Sequence, residues 1–157
     1  MNRRKWPVYL AFIAGTEAVG ALSGWLTRQG AERYALSIVK PPLSPPGPVF
    51  PAVWAALFAL MGAGAARVWL APASPARGRA LAVFGVQLAF NFCWSLIFFN
   101  AGAYGAALLW LAALCGLILW MILALRRVDR AAALMQLPYL LWVSFAGYLN
   151  FGVWALN

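Results

Sequence analysis

The chain has no histidine, only two cysteines and only three carboxylates among 157 residues. Each shortage removes a class of chemistry. Without histidine there is no imidazole base, no Ser-His-Asp or Cys-His arrangement, and no histidine-ligated haem. Cys93 and Cys115 fall deep in separate apolar runs, without the clustered spacing of a metal site. No Gly-rich phosphate loop, nucleophile elbow or metal-binding helix motif occurs. Hydrolase, kinase and metal-enzyme readings lose their basis. No catalytic residue and no metal ligand is assigned.

Charge of either sign is scarce as well. Twelve basic and three acidic side chains make up 10% of the residues, while 65% are hydrophobic. Soluble domains carry about 25% charged residues and about 45–50% apolar ones. The chain therefore reads as an all-α integral membrane protein, a single transmembrane domain over 1–157. Five apolar runs are long enough to cross, at about 6–26, 49–70, 80–99, 103–125 and 132–154. Each holds roughly 20 residues, enough at about 1.5 Å per residue for a hydrocarbon core of about 30 Å. Transmembrane strands would alternate over about ten residues, and these runs are continuous. The first run follows a basic "NRRK" and contains Glu17. It exceeds the apolar core of a signal peptide and is expected to remain as the first helix.

Short connections between the later runs make a five-transmembrane-helix bundle with antiparallel neighbours, interrupted by one long proline-rich loop at 27–48. Arg3, Arg4, Lys5, Arg77, Arg79, Arg126, Arg127 and Arg130 fall on one side, against Arg28, Arg33 and Lys40 on the other. The positive-inside rule then places the N-terminus in the cytoplasm, and a bacterial cell membrane is the expected location. The net charge of +9 is scattered over helix ends, so a nucleic-acid partner is not indicated. Gly20 with Gly24, and Gly85 with Ala89, have the spacing that lets helices approach in lipid. That contact could lie within the chain or between two copies in a homodimer.

Six of the ten prolines lie between residues 39 and 54. Pro41, Pro42, Pro45 and Pro46 fix φ and hold the loop extended, and Pro51 falls in the first turn of the second helix. A stiff loop loses little entropy on closing over a ligand. The segment is expected to be a lid, with Pro45, Pro46 and Phe50 on its ligand side and Trp54 aimed into the bundle.

Nine tryptophans are present. Trp6, Trp25, Trp69 and Trp154 stand near span ends, where indoles favour the interface. Trp54, Trp94, Trp110, Trp120 and Trp142 lie inside spans, where an indole N–H needs an acceptor that lipid lacks. In the fifth span Tyr139, Trp142, Ala146 and Asn150 share one helical face, entered after Pro138, while the third carries Gln87, Asn91, Trp94 and Ser95 on another. Two readings fit these stripes: polar bonding between helices, or a pocket of aromatic walls with a few amide and hydroxyl contacts. Glu17 is the one ionisable group well inside a span, suited to proton coupling, to a cation or to a buried hydrogen bond. Asp129, set among arginines, reads as a surface charge.

"KPPLSPPGPVFPAVW", "QLAFNFCWSLIFF" and "LPYLLWVSFAGYLNFGVWALN" together resemble the TspO family. These are the bacterial tryptophan-rich sensory proteins, related to the mitochondrial translocator protein or peripheral benzodiazepine receptor. The resemblance implies a membrane receptor or sensor whose bundle binds porphyrin-type tetrapyrroles, sterols or isoquinolines, without an obligatory cofactor. It places the family's pocket tryptophans on Trp54 and Trp142, its third-helix asparagine on Asn91, and a pocket face on Tyr139, Ala146 and Asn150. Many members have a Trp-Tyr pair before the Lys-Pro and a tryptophan after it. Tyr34-Ala35 and Leu43 stand there in this chain. Trp94 and Ser95 complete the expected ligand contacts. Two alternatives accompany the receptor reading. One is photo-oxidative porphyrin degradation through Trp54 and Trp142, and the other a proton-coupled exporter using Glu17.

Overall fold

The computed structural model describes residues 5–157, so Arg3 and Arg4 of the charge count lie outside the described residues. Five helical segments are long and apolar enough to cross a membrane. The first, α1, is one unbroken helix over Trp6–Ser37. It overruns the expected end near residue 26 by more than ten residues, and the long connection shrinks to 38–48. Hydropathy falls after Leu26 because Arg28, Glu32 and Arg33 enter, yet Ala, Gln, Glu and Arg all favour helix, and no proline occurs between Leu26 and Pro41. Polarity marked where the apolar run ends, not where the helix ends.

Helix α2 spans Val49–Trp69 and α3 spans Pro75–Ser95. Proline at the first turn of α3 follows the Ser74 cap, whose hydroxyl accepts the Arg77 N–H at 3.1 Å. The chain continues from α3 through a π-helical turn, Leu96–Asn100, closed by the Ala101 N–H on the Leu96 carbonyl at 3.0 Å. Helix α4 covers Tyr104–Arg126. The fifth span is two helices, α5 over Arg130–Leu134 and α6 over Leu137–Leu156, instead of one run from 132. Pro138 lies in the first turn of α6, where its missing N–H costs little, so the chain breaks before it.

The helices close into a ring. α1 packs on α2, on α3 and on the π turn; α3 packs on α2 and α4; α4 packs on α5 and α6; and α2 reaches the fifth span chiefly through α5. Lipid supplies no hydrophobic drive between helices, so close approach and interhelical hydrogen bonds hold them. Where α1 crosses α2, a side chain at Gly62 would strike the Ile13 backbone, and Thr16 Oγ1 donates to the Phe58 carbonyl at 2.8 Å. A side chain at Gly30 would strike the Phe99 carbonyl on the π turn, and Asn100 Nδ2 donates to the Leu26 carbonyl at 3.1 Å. The extra turns of α1 are thereby seated on the end of α3. Met61, Leu114, Ile118, Met121 and Val143 are fully buried in the main core.

At the N-terminal end Arg67 donates to both carboxylate oxygens of Asp129, at 3.1 and 2.9 Å. Asp129 also caps α5 by accepting the Ala132 N–H at 2.8 Å. It is a clamp between α2 and α5, not the free surface charge its arginine neighbours suggested. Burial pushes this carboxyl up, but the Arg67 hydrogen bonds and the α5 N–H groups more than offset that and hold it below its ordinary value.

Candidate ligand-binding cavity

Toward the loop end, α2 and α6 have little backbone contact. They are bridged there by side chains, with Phe50 and Trp142 rings 5.9 Å apart and Trp54 and Tyr139 rings 6.3 Å apart. The space between them, α1 and α3 is a cavity of about 600 Å³, within the range of about 300–1,000 Å³ usual for small-molecule sites. One wall is α1, which presents little bulk at Gly20, Ala21, Gly24 and Ala31. The facing walls are aromatic: Phe50, Trp54 and Phe58 from α2, Trp94 from α3, Phe98 and Phe99 from the π turn, and Trp142 from α6. Trp94 stacks on Phe98 with centroids 5.2 Å apart, and Trp54 tilts against Phe58 at 5.6 Å.

Of the residues expected at the site, Pro45, Phe50, Trp54, Asn91, Trp94, Ser95, Trp142, Ala146 and Asn150 border the cavity. Pro46 and Tyr139 do not. Pro46 is exposed on the loop. Tyr139 is 0% exposed, one turn deeper than Trp142. Its hydroxyl donates to Gln87 Oε1 at 2.8 Å and accepts from Asn91 Nδ2 at 2.8 Å. Gln87 Nε2 points at the thioether of Met61, at 3.8 Å, a weak acceptor that suits the amide nitrogen and sets the direction of the chain. Asn91 is thus held by its NH₂ group, and its Oδ1 has no protein partner among the described residues.

The polar stripes bond helices at some atoms and border the cavity at others. Trp94 Nε1 donates to Asn150 Oδ1 at 3.2 Å, and Asn150 Nδ2 to the Tyr104 carbonyl at 2.8 Å, joining α3, α6 and α4. These groups bond helices while their rings and methylenes border the cavity. Trp110, stacked on Phe90 at 4.4 Å, donates to the Phe90 carbonyl at 2.9 Å outside the cavity. Trp120 is 55% exposed near the end of α4 and joins the outward-facing tryptophans. Trp54 and Trp142 are the two cavity indoles whose N–H has no acceptor among the described residues.

The loop is pinned over α6. Tyr148 Oη donates to the Pro42 carbonyl at 2.8 Å, and Asn157 pairs with both backbone groups of Val39 at 3.0 Å each. Pro41 lies directly on Gly152, where a side chain would overlap its ring. Leu43, in a left-handed conformation at φ 65°, is 80% exposed and away from the cavity. The loop's own contribution to the mouth is Lys40, Ser44, Pro45 and Gly47. Lys40 Nζ reaches the Ala35 carbonyl at 3.3 Å and lies 5.5 Å from the Tyr34 ring centre. Arg28 turns outward onto Trp25, so Lys40 is the cation that borders the cavity.

The α1 wall went unread in the sequence. Gly20 and Gly24 signalled close packing, and Gly20 does meet the Phe58 ring, but Gly24 has nothing near it and opens to the cavity. Glycine spacing reports absence of bulk, and both an interface and a cavity need that. Among the described residues a side chain at Gly85 likewise would meet nothing, and Ala89, one turn on, is exposed.

Fold and site together define a multi-pass helical membrane protein with an aromatic-walled cavity beneath a pinned loop. Residues 12–155 match the TspO/MBR family. Over its full length the chain is 39% identical to Protein CrtK of Rhodobacter capsulatus, covering 95% of that protein. It is 38% identical to the tryptophan-rich protein TspO of Chlorobaculum tepidum, with 89% of each chain covered. The translocator protein of Bos taurus is 32% identical, over 97% of this chain and 91% of its own. The chain belongs to the TspO/MBR family.

Proposed function

We propose that the cavity binds a flat, mostly apolar ligand of the porphyrin class, and that the protein acts as a membrane receptor or sensor for it. The observation that carries this reading is the pairing of aromatic walls with polar atoms that have no protein partner among the described residues, including the indole N–H groups of Trp54 and Trp142 and the Oδ1 of Asn91. Rings stack or meet edge-on with a tetrapyrrole face, and the polar atoms address its nitrogen and oxygen groups. Lys40 at the mouth is placed to meet a carboxylate edge. Sterols and isoquinolines share the apolar requirement. By the basic residues of its N-terminal side, the loop end faces out of the cytoplasm of a bacterial cell. A homodimer through the outward face of α3 at Gly85 and Ala89 suits the same architecture.

Titration of purified protein with protoporphyrin tests the reading. Tryptophan fluorescence quenches saturably, and replacing Trp54 and Trp142 with leucine weakens binding at least tenfold. Absence of saturable quenching refutes it. A second reading, light-driven oxidation of the bound ring, is favoured by the exposure of those same two indoles to the cavity. It requires that their phenylalanine variants bleach illuminated porphyrin more slowly than wild type.

A further inference from the structure

Glu17 is absorbed by none of this. It lies eleven residues beyond Trp6 on α1, about 16 Å along the axis, which is near the middle of a core of about 30 Å. It is half-buried and borders the cavity, on the face of α1 that also carries Gly20, Ala21 and Gly24. Among the described residues its carboxylate has neither a hydrogen bond nor an ion pair. The neighbouring cations are committed elsewhere. Arg67 is held by Asp129 near the N-terminal end of the bundle. Lys40 rests on the Ala35 carbonyl, eighteen residues further along α1, about 27 Å away. One of the two amide N–H groups of Asn91 is taken by Tyr139.

A carboxylate at this depth needs a donor, and lipid has none. The cavity therefore has two unlike ends, a cation at the mouth and an unpaired acid at its inner end. From this asymmetry we infer that Glu17 is an acidic subsite, selecting flat apolar ligands that carry an ammonium or other cationic N–H group at their inner end. The inference rests on the reading of the cavity as a ligand site and specifies which ligands it favours. It also gives a tetrapyrrole its orientation: carboxylates face Lys40, because at the inner end they would meet Glu17.

The test uses a matched pair, 9-(aminomethyl)anthracene and 9-ethylanthracene, which share one ring system and differ in an ammonium against a methyl group. Full-length protein in phosphatidylcholine nanodiscs is titrated with each by tryptophan quenching, and protein-free nanodiscs provide the partitioning background. Wild type is expected to prefer the ammonium compound by about 10- to 100-fold, the usual worth of a charge-assisted hydrogen bond in a dry site. Glu17→Gln reduces that preference to threefold or less and still binds 9-ethylanthracene saturably, which reports an intact cavity. Glu17→Asp retains part of the preference. Equal binding of the two compounds by wild type overturns the subsite while the cavity reading stands. A preference that survives in Glu17→Gln overturns it too. Binding of neither compound by wild type overturns both.

Discussion

The Tyr139 hydroxyl is the point where the structure commits itself most sharply. Tyr139→Phe deletes one oxygen that serves two buried amides, each 2.8 Å away. The two are not equivalent. Asn91 borders the cavity and can turn its released NH₂ group toward it, recovering part of the loss. Gln87 is 0% exposed, and its Oε1 is left with nothing. An abandoned buried acceptor costs about 1–3 kcal/mol, while hydrogen bonds between membrane helices average about 0.6 and reach about 1.7 kcal/mol. The stranded Gln87 decides the sum, which comes to about 1.5–3 kcal/mol. Unfolding in mixed detergent, followed by tryptophan fluorescence, measures it. A double-mutant cycle with Asn91→Leu should give a coupling of at least about 0.5 kcal/mol, since the groups touch. The ligand readout should differ. Tyr139 is not on the cavity wall, so Tyr139→Phe keeps porphyrin affinity within threefold, whereas Asn91→Leu lowers it. A stability change below about 0.3 kcal/mol, or a tenfold loss of affinity at unchanged stability, refutes this account and makes Tyr139 a ligand contact.

Two glycines on α1 should part company: Gly24→Phe has free space, so it leaves thermal stability unchanged and abolishes porphyrin binding, while Gly30→Ala meets the Phe99 carbonyl and costs about 1–3 kcal/mol. Thermal melts and quenching titrations of both variants check the contrast. Tyr148→Phe combined with Asn157→Ala frees the loop from α6 and raises porphyrin dissociation rates several-fold in stopped-flow quenching, with the helical circular dichroism signal unaltered. Asp129→Asn keeps the α5 cap and loses only the charge of a partly exposed pair, costing about 0.5–1 kcal/mol, while Asp129→Ala loses both and costs about 1–3 kcal/mol. Because the folded carboxyl titrates below its usual range, its contribution is complete above about pH 4 and declines as pH falls through that lower value. The difference between wild type and Asp129→Asn should therefore shrink in acid, as pH-dependent unfolding would show.

Some of this could be read from residues alone. Five spans follow from apolar length, which is a property of each run by itself. The helix limits were less legible. α1 continues to Ser37 because helix propensity persists after hydropathy fails, and the fifth span breaks because Pro138 is better accommodated in a first turn than in an interior.

The cavity residues were legible as faces. Helical spacing puts Tyr139, Trp142, Ala146 and Asn150 on one side of α6, and that side does turn inward. Spacing along one helix says nothing of how far away the next backbone lies. At Tyr139 the hydroxyl is locked between the Gln87 and Asn91 amides of α3. One turn on, Trp142 borders the cavity, and its indole N–H has no acceptor among the described residues. The same cavity takes Gly24 as wall and leaves Glu17 without a partner among the described residues. Sequence by itself determined that this is a membrane bundle with an aromatic, amide-bearing inner face. The separation of the helices at each depth decided which atoms of that face bind the protein to itself and which remain for a ligand.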